Sequence, residues 1–290
     1  MKIGAWILAA RPKTLPAAIA PVLVGAALAA HDGVFETAPA VICLFFALLI
    51  QIGTNFANDY FDFVQGADTE ERIGPTRAVA AGLISPAAMR TATILVLVLA
   101  FCVGLALVFW GGWWLVAIGL LSIVCAVAYT GGPYPLGYNG LGDVFVFIFF
   151  GLVAVGFTYY VQAGSFSTVA WLLGAGVGAL STNLLVVNNY RDVDTDRVAG
   201  KRTLVVRFGR PVAWTQYCAS VLLAFGIPAS LALTGFGVTL FMPLIMTPFA
   251  IFLCVLLKRS RTRADFQLVL AQTAKLLLFY SGLVSIGLVL

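Results

Sequence analysis

"NDYFD" at 58–62 and "NNYRD" at 188–192 decide how this 290-residue chain is read. Each sets Asn, Tyr and Asp in the same order at the end of a long apolar stretch. With 61% hydrophobic and only 10% charged residues in the chain, such polar clusters are costly, so a repeated one points to function. A mean hydropathy of +1.02 lies outside the range of soluble globular domains and marks an integral membrane protein.

A membrane span takes about 20 apolar residues. The sequence predicts nine spans in an all-α fold, near 15–30, 40–60, 91–110, 113–130, 143–163, 169–188, 212–234, 238–257 and 268–290. Lys2, Arg11 and Lys13 before the first run, with Ala27-Leu28-Ala29 after it, resemble a signal peptide, but eight further spans favour a retained helix. Of 17 Lys+Arg, sixteen fall in the N-terminal segment or in the connections after spans two, six and eight. The opposite connections carry none, so the positive-inside rule puts the N-terminus in the cytoplasm and the C-terminus outside. The remaining cation, Lys275, is expected to snorkel to the inner interface. The net charge of +5 therefore reflects topology, not a nucleic-acid partner. Cys43, Cys102, Cys125, Cys218 and Cys254 are scattered along the spans and read as small apolar residues, neither disulfides nor a zinc site. His31, beside Asp32 in an outer loop, is assigned no role.

The two polar boxes follow spans two and six, which point the same way through the membrane. That parity suggests a parallel duplication within a single domain, with repeats of roughly 1–130 and 131–260. After the first box come Gly66, Asp68, Arg72 and Arg77; after the second come Asp196, Gly200, Lys201 and Arg202. On a helix, residues at i and i+4 share a face, so Asn188, Asp192 and Asp196 align, as do Asn58 and Asp62. Gln51, Thr54 or Asn55, Asn58 and Asp62 form a polar stripe that should face a cavity instead of lipid. Stacked carboxylates repel, and something positive should sit between them. With oxygen ligands only, a hard cation such as Mg²⁺ is favoured, and magnesium commonly shares its coordination with substrate phosphates. Acidic boxes flanked by Arg77, Lys201 and Arg202 therefore suggest a diphosphate held through magnesium. Asp194, Glu70 and Glu71 read as solvated loop charges.

These segments resemble the UbiA superfamily of intramembrane prenyltransferases, whose motifs are N-D-x-x-D-x-x-x-D and D-x-x-x-D. The second is intact from Asp192 to Asp196. The first matches at Asn58, Asp59 and Asp62 but has Gly66 in its last position, with Asp68 as the next acid. "ARPKTLPAAIAPVLVG", "NDYFDFVQGADTEERIGPTR", "YTGGPYPLGYNGLGD" and "NNYRDVDTDRVAGKRTLVVRFG" are similar to the branch that prenylates 1,4-dihydroxy-2-naphthoate. The resemblance implies an enzyme of the bacterial inner membrane. In its reaction the magnesium-bound diphosphate of a polyprenyl diphosphate leaves, the allylic cation alkylates the aromatic acid, and the ring carboxylate is lost as CO₂ to give demethylmenaquinone. It further implies Asn58, Asp59, Asp62, Asp192 and Asp196 as the catalytic and magnesium-holding set, Asp68 as a further ligand, and Arg77, Lys201, Arg202 and Arg72 on the diphosphate.

A cation kept from water suits a cavity within the membrane, and aromatic faces such as Tyr60 or Tyr129 could stabilise it. The Gly/Pro-rich stretch 129–143 reads either as a turn or as a lid over the acids. Two other readings stay open: a related prenyltransferase for 4-hydroxybenzoate or another ring, and an ion- or proton-coupled transporter, since intramembrane acids also mark transport pathways.

Overall fold

A computed structural model describes residues 3–67, 74 and 76–290, and the described residues are helical with connecting turns. Helix α1 (Ile3–Ala10) is followed by a 3₁₀ turn (Pro12–Thr14) and α2 (Pro16–His31), the two arms bent by 50°. The break is local: Arg11 is left-handed (φ 50°), and Pro12 and Pro16 cannot donate to a continuing helix. Helix α3 (Thr37–Val64) pairs with α4 (Pro86–Leu105), and after the short α5 (Val108–Gly111) α6 (Leu115–Ala128) packs on both. The chain continues through α7 (Gly142–Phe147), a π turn (Ile148–Val153) and α8 (Ala154–Ala163), then α9 (Thr168–Val198) and α10 (Leu204–Leu233), which is broken at Gly209 ahead of Pro211. A 3₁₀ segment (Val238–Met246) leads into α11 (Thr247–Arg259), and α12 (Arg263–Val289) closes the bundle against α2 and α9.

Seven of these helical stretches are long and apolar enough to cross a membrane, and the bent α1–α2 pair would be an eighth. Each of the nine expected stretches coincides with helix. The fourth, α6, has only 14 residues, about 21 Å of helix against a hydrocarbon core of about 30 Å. It is cut short by Trp113-Trp114 on one side and Gly131-Gly132-Pro133 on the other. The helix α1 ahead of the first span was not anticipated, because its eight residues are too few to register as a span.

Helix α9 lies at the centre. Its small residues admit neighbours at backbone distance, as expected where helices pack inside lipid: a Cβ on Gly151 of the π turn would fall 2.6 Å from Gly178 Cα. Lipid-facing side chains such as Ile94, Leu95 and Val98 remain exposed, which is normal for a membrane surface. At 28 and 31 residues, α3 and α9 are about 42 and 46 Å long. Both exceed the bilayer core, so their C-terminal turns, which carry the two acidic boxes, can project past it.

Candidate active site between two acidic helix ends

The helix macrodipole disfavours acids at a C-terminus, yet Asn58 to Asp62 and Asp192 to Asp196 occupy the last turns of α3 and α9. Both open on one cavity of about 720 Å³. Along α3 the expected polar stripe faces it: Gln51, Thr54, Asn55, Asn58 and Asp62 all line the wall, as do Asn188, Asp192 and Asp196 from α9. Away from the acids the lining turns apolar, with Phe46, Phe101, Phe149, Phe157, Leu107 and Leu115. From Asp62 to Cys43, both lining residues, is 19 residues of helix, or about 28 Å. Beyond Phe157 an aromatic cluster stands at the far end, with Trp114 5.3 Å from Phe157, Tyr160 4.6 Å from Phe166, and Phe166 5.5 Å from Trp171.

The acids are held by cations drawn from both halves of the chain. Asp62 Oδ2 pairs with Arg77 Nη2 at 2.5 Å, while its Oδ1 accepts from the Tyr138 hydroxyl at 2.7 Å. Lys201 Nζ lies 3.7 Å from Asp62 Oδ1 and 3.4 Å from Asp196 Oδ1, bridging the two boxes, and sits 4.5 Å over the Tyr138 ring. Gly200 (φ 73°) allows the tight turn that brings Lys201 back, with Lys201 N–H donating to Asp196 O. Asp192 is gripped by its neighbour Arg191, Nε donating to Oδ1 at 2.7 Å and Nη2 to Oδ2 at 2.6 Å. Asn58 Oδ1 accepts from Thr130 Oγ1 at 2.6 Å, tying the first box to the Gly/Pro-rich stretch.

Asn58, Asp62, Asp192, Asp196, Arg77 and Lys201 are thus brought together. Asp59 is not among the lining residues: its buried carboxylate accepts the backbone N–H groups of Ala78 (3.0 Å) and Val79 (3.1 Å), fixing the turn that carries Arg77. The Arg202 side chain is exposed and off the cavity wall, although its backbone N–H donates to Tyr138 O. Asp68 and Arg72 lie outside the described residues. Tyr60 packs beside Phe61 in a separate apolar cluster, whereas Tyr129 lines the cavity. In the 129–143 stretch a Cβ on Gly131 would meet Phe61 Cε2 at 2.6 Å, and Gly132 has φ 82°. Sequence reading missed Tyr138, which nothing separates from other loop tyrosines, and Arg191, counted only as a topogenic charge. It also gave no site role to Arg11 and Lys13, which line the wall near α3.

Among the described residues no group of three or more His, Cys, Asp or Glu is arranged to hold a metal ion. The donor set nevertheless fits a hard cation. Asp62, Asp192, Asp196, Asn58 and Asn188 offer only oxygen or amide ligands at one end of the cavity. The Lys201 ammonium stands between the two boxes, where their repulsion calls for positive charge.

Residues 18–283 match the UbiA prenyltransferase family. A 1,4-dihydroxy-2-naphthoate octaprenyltransferase of Haemophilus influenzae is 37% identical, with 100% of this chain and 97% of the relative covered. Another of that name, from Mycobacterium tuberculosis, is 44% identical over 70% of each chain. Among solved structures, a UbiA homologue from Archaeoglobus fulgidus bound to GPP and Mg²⁺ superposes with a TM-score of 0.64. It is 14% identical, covering 97% of this chain and 99% of the other, and shows the shared fold.

Proposed function

The chain belongs to the UbiA prenyltransferase family, and we propose that it transfers a polyprenyl group from a polyprenyl diphosphate to 1,4-dihydroxy-2-naphthoate. Diphosphate leaves, the ring carboxylate is lost as CO₂, and the prenylated diol that forms is demethylmenaquinol, the reduced form of demethylmenaquinone, a step of menaquinone biosynthesis. The observation that carries this reading is the convergence of two acidic helix ends and their cations on the mouth of an apolar cavity about 28 Å deep. The geometry suits a molecule with a polyanionic head and a long hydrocarbon tail. The names of the relatives supply the acceptor.

Asp62, Asp192 and Asp196, with Asn58, are the residues that would hold Mg²⁺, directly or through water. The bound ion would neutralise the diphosphate and improve it as a leaving group. Arg77 and Lys201 reach the same spot from the loops after α3 and α9, where a guanidinium fork and an ammonium can take up charge developing on the departing oxygens. Arg191 holds Asp192 by two bonds and so fixes the direction its carboxylate presents. As the allylic carbon–oxygen bond breaks, the apolar lining keeps water from the cation, and Tyr129 and the phenylalanines offer it ring faces. A new carbon–carbon bond to the electron-rich ring then discharges it.

The Lys/Arg distribution supports nine crossings, with the acid end facing the cytoplasm of a bacterial inner membrane. The matching direction of α3 and α9 supports the two boxes as arms of a parallel duplication. A transporter is disfavoured because the acids sit at helix ends, not at mid-membrane, and aromatic rings crowd the opposite end. Incubating purified protein with Mg²⁺, a polyprenyl diphosphate and each candidate aromatic acid, with products identified by mass, tests the proposal. Demethylmenaquinol from the naphthoate, or the quinone it gives on oxidation by air, is expected. A product from 4-hydroxybenzoate alone, or none at all, overturns the reading.

A further inference from the structure

Helix α12 carries a charge where the bilayer offers no water. Lys275 is exposed, is not part of the cavity wall, and makes no hydrogen bond, ion pair or ring contact among the described residues. Along the helix it shares a stripe with Leu268, Phe279 and Ile286, which are 47%, 55% and 48% exposed. That stripe faces lipid. At 27 residues, α12 is about 40 Å long against an apolar layer of about 30 Å. Lys275 is 12 residues beyond Arg263, about 18 Å along the axis. Even with all the excess length at the start of the helix, its Cα lies about 8 Å inside the apolar layer. An ammonium left there is costly and must reach a polar partner. Side chains on a helix lean toward its N-terminus, and the start of α12 lies beside the second acidic box, with the Phe266 ring 6.0 Å from Tyr190. Lys275 therefore extends toward the leaflet on the acid side. Ala271, one turn nearer that surface, is too small to obstruct its stem. At the rim Arg259, Arg261 and Arg263 are exposed and form no ion pair among the described residues. The Asp265 carboxylate next to them is occupied, accepting from the backbone N–H groups of Arg261 (3.0 Å) and Thr262 (2.8 Å).

We propose that Lys275 holds the phosphate of an anionic phospholipid of that leaflet, with the headgroup between the lysine and the arginine rim and an acyl chain along Leu268, Phe279 and Ile286. The inference is independent of the reaction proposed above. A headgroup of net negative charge is favoured because a zwitterionic one brings its own cation beside the phosphate, whereas four basic side chains here lack an acid. A second copy of this chain does not fit the stripe, since a two-fold contact would set Lys275 against Lys275. Helix α12 packs on α2 and α9 and gives Leu270 to the cavity wall. A lipid bound on its outer face therefore stabilises the bundle that holds the acidic site.

The test is the thermal midpoint of the purified full-length protein in phosphatidylcholine nanodiscs with and without phosphatidylglycerol, beside native mass spectrometry of what stays bound. Wild type should gain a few degrees from the anionic lipid and retain it in the spectrum. Lys275→Leu, as stable as wild type in phosphatidylcholine alone, should lose both the gain and the adduct. Lys275→Arg should keep both, and so should Arg90→Gln, which removes an exposed cation from α4. An equal gain in wild type and Lys275→Leu, no gain in either, or an equal loss in Lys275→Leu and Arg90→Gln overturns the site in favour of diffuse attraction to the bilayer. A second protein retained by wild type and lost from Lys275→Leu overturns it in favour of a partner helix. A many-fold higher KM for polyprenyl diphosphate in Lys275→Leu, measured in phosphatidylcholine alone, makes the substrate the occupant and likewise overturns the proposal.

Discussion

Asp59→Ala separates a structural carboxylate from a metal ligand. Asp59 is 1% exposed, and its two oxygens answer the backbone N–H groups of Ala78 and Val79. Truncation leaves two buried donors unsatisfied, at about 1.5 kcal/mol each, or about 3 kcal/mol together. That is about a hundredfold in the equilibrium that holds the 77–83 turn against α3. Arg77 rides on this turn, so its grip on Asp62 loosens. The expected result for the purified variant is a lower thermal midpoint and reduced kcat, with the magnesium concentration for half-maximal activity close to that of wild type. Asp59→Asn should fall between, since it keeps one acceptor but turns an amide N–H toward the other donor. An unchanged thermal midpoint with a many-fold higher magnesium requirement would refute the reasoning and return Asp59 to the metal.

Asp62→Ala and Asp192→Ala should each lower turnover by at least about a hundredfold, with membrane insertion and helix content by circular dichroism intact; near-normal turnover at any magnesium concentration would remove them from the site. Gly131→Ala puts a methyl group against the Phe61 ring, so activity should fall and partly return in the Gly131→Ala, Phe61→Leu double variant; an unaffected single variant would show that the close contact has no consequence.

The parts of the site set by helical periodicity were legible in the sequence. Gln51 to Asp62 on α3 and Asn188 to Asp196 on α9 recur at three- and four-residue steps, and a polar stripe in a membrane helix has nowhere to face but a cavity. Asp59 was not legible as a backbone anchor, because its partners at 78 and 79 lie across a turn that only tertiary structure brings back. Arg191 was hidden for another reason. Adjacent residues on a helix do not normally face each other, yet its long side chain curls back to Asp192. Lys201 and Arg202 looked alike in sequence. The turn after Gly200 sends the first inward and leaves the second exposed, a distinction set by backbone direction and not by residue type. The bend at Arg11-Pro12 concealed α1, since the apolar run ahead of it is too short to register as a span.

The central claim is that the two boxes form one site, and a double-mutant cycle on polyprenyl diphosphate affinity tests it most directly. Calorimetric titration in Mg²⁺ would compare wild type, Asp62→Asn, Asp192→Asn and the double variant. Residues sharing one bound group are strongly coupled, so the account predicts that the double variant loses little more than the weaker-binding single variant. Losses that simply add would contradict it, placing Asp62 and Asp192 in independent sites.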